Sequence, residues 1–194
     1  VPATTPTRRI GASDSKTREQ LVDAAERLLM QEGYAAVTSR RVAAAAGLKP
    51  QLVHYYFRTM DDLFVEVFRR NADASFAHAE RVLAEDPSLA ALWSLNADPR
   101  GAAFLVEFAA LANHRKAIRD EIARYAERNR AMQLDALTKA LRAAGIDAKT
   151  IPAVAALLLA TGLGLVLGIE AALGVTQGHE TTRAFVDKAI KRLT

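Results

Sequence analysis

Between Glu32 and Asp61 the chain carries no acidic residue, while Arg40, Arg41, Lys49 and Arg58 all fall inside that window. Four cations with no acid among them have chemistry to offer an anion, and a phosphate polymer suits them well. Interleaved with them are Thr38, Ser39, Gln51, His54, Tyr55 and Tyr56. Their hydroxyl, amide, imidazole and phenol groups hydrogen-bond phosphates or the edges of bases. Residues 1–58 hold nine basic against five acidic groups, whereas residues 59–194 hold seventeen of each. The formal net charge of +4 is therefore concentrated in the first third of the chain.

The elements that must position these groups are helices. Ala and Leu are in excess, prolines number six, and no alternating run bounded by hairpin turns stands out. The first helix starts near Ser13–Thr17, where several residues could cap, and Thr17-Arg18-Glu19-Gln20 has the form of a capping box. This box precedes an apolar stripe of Leu21, Ala24, Ala25, Leu28 and Leu29, and Gly33 is expected to close this first helix as a left-handed cap. Thr38 or Ser39 caps a short second helix to about Ala45. Gly47 supplies the positive φ of a tight turn, and Pro50 opens a third helix to about Tyr56. Thr59 caps a fourth, with Asp61 and Asp62 in its first turn. Beyond it the pattern predicts further helices to about Leu193, nine in all. The fold class is all-α: a helix-turn-helix unit over 16–60 and a larger helical body over 61–194, preceded by a basic arm over 1–15 that includes Arg8 and Arg9.

A tight turn between two short helices lays the second across the first, so that its outer face can enter the major groove. The outer face of 49–56 would carry Lys49, Gln51, His54, Tyr55 and Tyr56, with Arg58 just beyond. Gln pairs with adenine, Lys with guanine or phosphate, and Tyr with phosphate or a thymine methyl. Tyr55 packs on the first helix or touches phosphate, and Arg40 and Arg41 either contact DNA or form a solvated face.

Other chemistries find less to work with. There is no cysteine, hence no disulfide, thiolate nucleophile or thiolate metal site. His179-Glu180-Thr181-Thr182-Arg183 begins like a zinc-protease helix but lacks the second His one turn on. No Gly-rich phosphate loop or nucleophile elbow occurs, so no catalytic residue, metal or cofactor is expected. The first fifteen residues lack the apolar core of a signal peptide, and a cytoplasmic protein is expected. Ile151–Ile169 carries no charge over a length that spans a bilayer. It begins near Pro152, is rich in Ala and Gly, and is followed by Glu170, which favours a buried or interface helix over a membrane span.

The run from Thr17 to Phe68 resembles the amino-terminal domain of the tetracycline-repressor (TetR) family of bacterial regulators. The pieces that carry the resemblance are AAERLLMQEGYAAVTSRRVAAAAGL, KPQLVHYYF and MDDLF. It implies a homodimeric repressor on a palindromic double-stranded DNA operator, released when a small molecule enters the body. By position it implies DNA contacts from Ser39 and Arg40, and from Pro50, Gln51, Leu52, His54 and Tyr56. Thr38, Lys49, Tyr55 and Arg58 are added here from their chemistry. Two departures stand out: His54-Tyr55-Tyr56 where the family has a tyrosine followed by a second aromatic or His, and Met60 where a phosphate-gripping lysine usually opens the fourth helix.

For the body, Phe76, Trp93, Phe104, Phe108, Tyr125 and Met132 lie on helices that surround the family's effector pocket. Glu107, Asn96, Asn113 or His114 could supply its polarity; the bland alternative is that these aromatics are ordinary core. The last two helices, about 150–173 and 179–193, are expected to form an isologous four-helix dimer interface. Leu157, Leu158, Gly164, Leu165 and Gly168 would lie at its centre. Two competing readings remain open: a membrane-associated protein that uses 151–169 as a span, and an architectural DNA binder with no effector and no sizeable cavity.

Overall fold

The computed structural model describes residues 15–193. Arg8, Arg9 and the rest of the proposed arm before Ser15 lie outside the described residues. The chain is all-α. In order it forms α1 (Lys16–Glu32), a single 3-10 turn (Tyr34–Ala36), α2 (Ser39–Ala45), α3 (Pro50–Tyr56), α4 (Met60–Glu85) and α5 (Leu89–Asn96). These are followed by α6 (Pro99–Ala112), α7 (Lys116–Ala143), α8 (Ala153–Ala172) and α9 (His179–Leu193).

By its internal contacts the chain divides into two compact units. One holds the described residues through Asn71 together with Glu107–Ile122; the other holds Ala72–Val106 and the residues from Ala123 onward.

In the first unit the α1 stripe is inside, with Leu21, Ala24, Ala25 and Leu29 almost wholly buried. Each such leucine contributes roughly 1.5–3 kcal/mol relative to an exposed one. The capping box expected at Thr17 does not form. Ser15 is the N-cap, so Thr17 already lies within the first turn. The Ser15 Oγ is 2.9 Å from the Tyr56 hydroxyl and makes no cap bond. Gly33 has φ +77° but ψ 172°, so the expected left-handed cap is corrected to an extended exit that leads into the 3-10 turn.

The α2–α3 corner forms as its residues dictate. Thr38 accepts a bond from the Arg41 N–H at 3.3 Å. Gly47, at φ +68°, lets its own N–H reach the Ala44 carbonyl (3.1 Å) and the Leu48 N–H reach that of Ala43 (2.9 Å). These two bonds satisfy the last carbonyls of α2. Pro50 then occupies the first position of α3, where no N–H is needed. α4 opens with a reciprocal cap: the Asp62 N–H bonds Thr59 Oγ1 at 3.1 Å and the Thr59 N–H bonds Asp62 Oδ2 at 3.0 Å. Val53, Phe57, Leu63, Phe64, Val67 and Phe68 complete the core with Phe108, Leu111 and Ile118. Phe68 meets Phe108 edge to face at 5.1 Å.

The second unit is built around α5 and α8. Leu89, Leu92, Leu137, Leu141 and Leu157 form one cluster, flanked by Leu83 at the end of α4, and Trp93, Ala97 and Leu167 form another, flanked by Val186 and Ile190 of α9. α8 reaches α5 and α6 through its glycines. A Cβ on Gly164 would lie 1.9 Å from the Asn96 carbonyl oxygen, and one on Gly168 would lie 2.3 Å from Ala102 Cβ. Among the described residues α8 is the one helix long and apolar enough to cross a membrane, and only 22% of its apolar stretch is buried in the protomer. One face is therefore spent on α5, and most of the rest points outward.

Candidate nucleic-acid interface and body cavity

The acid-free window folds into α2, the Gly47 turn and α3, with Arg58 at the entry to α4. Its cations do not stand alike. Arg41 is held by Glu32 through two oxygens at 2.7 and 2.8 Å, and Asp61 pairs with Arg115. The acids that bracket the window are thus engaged. Arg40, Lys49 and Arg58 are exposed and belong to no ion pair found among the described residues. They carry the local positive field.

On α3, Pro50, Gln51 and Tyr55 are exposed, while Leu52, His54 and Tyr56 are half-buried. The structure brings Lys49, Gln51 and Tyr55 together with Arg40 as accessible groups in one unit. Tyr56 is placed differently from the outward position read for it. Its hydroxyl is engaged with Ser15, and its ring meets Tyr55 edge to face at 5.0 Å. It ties the end of α3 to the start of α1. The Thr38 hydroxyl oxygen is occupied by capping, which leaves its hydrogen for an outside acceptor, and Ser39 is half-buried beside it. Met60 is half-buried at the first position of α4 and offers no charge.

Behind this surface the first unit is braced by ion pairs. Arg18 bonds Glu66 at 2.7 Å and lies over the Phe57 ring. That hydrogen bond holds the Glu66 carboxyl below its ordinary value, against burial, which pushes it up. Arg70 reaches both Asp23 and Glu26, and Arg69 grips Glu121 at 2.8 and 2.9 Å. α1 and α7 are both fastened to α4 in this way.

The second unit contains a cavity of about 220 Å³. Leu89, Leu92, Trp93 and Asn96 line it from α5, and Leu137 and Leu141 from α7. Ile151 precedes α8, which adds Ala156, Leu157 and Ala160; Val186, Ile190 and Leu193 come from α9. Of the residues expected to form an effector pocket, only Trp93 and Asn96 are on this wall. Phe76, Phe104, Glu107, Phe108, Tyr125 and Met132 are not. Phe108 is fully buried against Phe68 in the other unit, Phe76 lies 3.7 Å beneath the Arg128 guanidinium, and burial raises the Tyr125 phenol above its ordinary value while a hydrogen bond with Ser75 opposes the shift. The aromatics at helical spacing do packing work, and the space opens where aliphatic side chains of four helices fail to meet.

The interface expectation for α8 is redrawn as well. Gly164, Gly168 and Leu157 are buried within the protomer, and Leu165 is half-buried. Leu158 is exposed as expected, and it is joined by Leu159, Val166 and Leu173 on α8 and its end and by Phe185 on α9. Leu159, Leu173 and Phe185 are each at least 71% exposed. A sequence signal for them did exist: a charge-free helix apolar on every side has two faces to cover, and Phe185 interrupts an otherwise polar helix face. His179, at the start of α9, bonds Glu170 at 2.8 Å across the α8–α9 turn.

Residues 21–67 match the family described as bacterial regulatory proteins, tetR family. Over 52 residues the chain is 40% identical to the HTH-type transcriptional regulator BetI of Rhizobium meliloti, a match that covers 27% of this chain and 26% of that relative. The alignment thus spans about a quarter of the curated relative's length. The fold likeness runs much further. A TetR transcription regulator from Haloarcula marismortui superposes with a TM-score of 0.74 at 22% identity, covering 91% of this chain and 97% of its own. A transcriptional regulator from Saccharomonospora viridis in complex with choline gives 0.76 at 19% identity, covering 92% and 97%. Residues 21–67, which make up the helix-turn-helix unit, thus carry the domain of the bacterial regulatory proteins of the tetR family, and the chain as a whole shares its fold with solved transcription regulators.

Proposed function

We propose that the protein is a cytoplasmic, ligand-responsive transcriptional regulator, acting as a repressor, that binds a palindromic DNA operator as a homodimer and is released by a small, largely apolar effector. The observation that carries this reading is the capped α2–Gly47–α3 corner, with Gln51 and Tyr55 accessible and Arg40, Lys49 and Arg58 outside every ion pair found among the described residues. Arg40, Arg58 and the Thr38 and Ser39 hydroxyls hold phosphate. Lys49, Pro50, Gln51, Leu52, His54 and Tyr55 face the groove, and Tyr56 steadies α3 from behind. Residues 16–60 are the DNA-binding domain and 61–194 the effector and dimerisation domain, with 1–15 as a basic arm.

The second copy covers the outer faces of α8 and α9, where Leu158, Leu159, Val166, Leu173 and Phe185 are exposed. A two-fold axis there sets the recognition helices one DNA turn apart, about 34–36 Å. The same contact supplies the alternative to a membrane for α8. Sedimentation of detergent-free protein as a dimer supports it, and recovery only in membranes would overturn it. The cavity argues against a purely architectural binder. Leu83 of α4 packs on the cluster that lines it, so occupancy acts on the helix that begins at Met60. Choline, held by one neighbour, does not suit this cavity, because among the described residues its wall has no carboxylate and a single aromatic ring. Selection of bound sequences from a random DNA pool at defined salt tests the whole reading. A palindrome with half-sites one turn apart is expected; no enrichment would sink it.

A further inference from the structure

Resting on the effector reading above, we infer that the body cavity is a site for a neutral hydrocarbon of about eight to ten non-hydrogen atoms, and that it excludes cations and carboxylates. Apart from the indole N–H of Trp93, the only side-chain polar atoms that the described residues bring to its wall are those of Asn96. Those atoms are already committed. Asn96 Nδ2 donates to the Leu92 carbonyl at 2.8 Å and to Gln133 Oε1 at 2.6 Å, while its Oδ1 accepts from the Thr161 hydroxyl at 2.9 Å. An amide with both hydrogens and its oxygen engaged has little left for a ligand. A charged guest would lose its hydration and find no opposite charge among the described residues, and a hydroxyl guest would find only the indole N–H of Trp93. Aliphatic surface, by contrast, exchanges water for close contacts at no polar cost. The volume sets the size. An apolar cavity of about 150 Å³ holds one benzene ring, so 220 Å³ admits a ring with a short alkyl tail.

Trp93 is the only tryptophan in the chain and lies on the wall, so its emission reports occupancy directly. The probes are n-butylbenzene and two charged molecules of similar bulk, benzyltrimethylammonium and 4-phenylbutyrate. Excitation near the red edge should give a saturable change with n-butylbenzene and at least tenfold weaker response to either ion. Ala156→Leu and Ala160→Leu fill the wall from two points of α8, and each should abolish the response with the helical circular dichroism unchanged. A cation or carboxylate that binds as well as the hydrocarbon, or no response to the hydrocarbon in the wild-type chain, overturns the inference. Operator affinity is measured separately. If n-butylbenzene enters the cavity and operator binding is unaffected, the site chemistry stands and the effector reading falls.

Discussion

The helix-turn-helix unit and α8 solve opposite problems. α2 and α3 are seven residues each, capped by Thr38, turned by Gly47 and started by Pro50, and they leave polar and charged side chains in solvent. α8 is twenty residues long and carries no charge before Glu170. It is fixed by two glycines against α5 and α6, and most of its surface is apolar and uncovered. The first is assembled from local rules at named positions. The second is assembled from tertiary contact alone, which covers one of its faces and leaves the other exposed. The braces differ too: ion pairs fasten α1 and α7 to α4, whereas close van der Waals approach, with the Thr161–Asn96 hydrogen bond, fastens α8.

The largest effect expected from breaking this contrast is at Gly164. Gly164→Ala puts a methyl 1.9 Å from a backbone carbonyl oxygen that cannot swing aside. Overpacking of this kind costs on the order of 3 kcal/mol or more. A fall of several degrees in melting temperature is expected by scanning calorimetry. Two residues earlier, a Cβ on Gly162 meets nothing within 4 Å. Gly162→Ala should leave the protomer as stable as before or raise its stability by up to about 1 kcal/mol. Equal losses at both positions would mean that α8 does not face α5 as described.

Next in size is the outer face. Leu159→Glu or Phe185→Glu removes no buried contact within the protomer, since both side chains are at least 71% exposed. If the proposed dimer forms through this face, either should yield a folded monomer by sedimentation velocity. Operator affinity should fall by roughly 100-fold or more, because binding to the second half-site is no longer intramolecular. A dimer that persists through both changes would place the interface elsewhere.

Smaller effects separate the roles on the recognition unit. Arg40→Ala should weaken binding to every sequence and lower the salt slope by about 0.9, the share of a single neutralised phosphate. Arg41→Ala should do less, because Glu32 already holds that guanidinium. Gln51→Ala should instead change the selected motif at one base pair, by about 1–3 kcal/mol of discrimination. If Arg40 and Gln51 variants behave alike, the division between phosphate holding and base reading is wrong.

Legibility follows the same contrast. Thr38, Gly47, Pro50 and Thr59 are readable because each satisfies a backbone requirement that few residue types meet. At the start of α1 the same logic falls short: Ser15 holds the N-cap position, but its hydroxyl is engaged with Tyr56 and makes no cap bond. Around the cavity, aromatic residues stand out in the sequence, yet Phe76 and Phe108 are packed against Arg128 and Phe68, and the wall is mostly leucine. Nothing in a leucine's spacing says whether it closes a core or borders a gap. On α8 the charge-free run reveals that two faces need covering, but a helix apolar all round has no stripe to say which is inner. Gly164 and Gly168, expected at the outer face, therefore turn out to lie on the inner one.

The smallest effect tests the ionic bracing of the first unit. Arg18 and Glu66 are partly exposed, with side-chain exposures of 19% and 30%, so solvent screening keeps their contribution to about 1 kcal/mol. The carboxyl of Glu66 is held below its unfolded value, which lies near 4.3. A group depressed in the folded state contributes stability that is fully present above the unfolded value and is lost as pH falls through the folded one. Glu66→Gln should therefore lower the unfolding free energy at neutral pH, and the gap to wild type should close on acidification below about pH 4. Urea titrations at both pH values measure it. Gly164→Ala, whose cost is steric, should show the same deficit at either pH. If the Glu66→Gln gap stays constant instead, the pair contributes through packing of Arg18 on Phe57, and the two halves of the molecule are braced more alike than their side chains suggest.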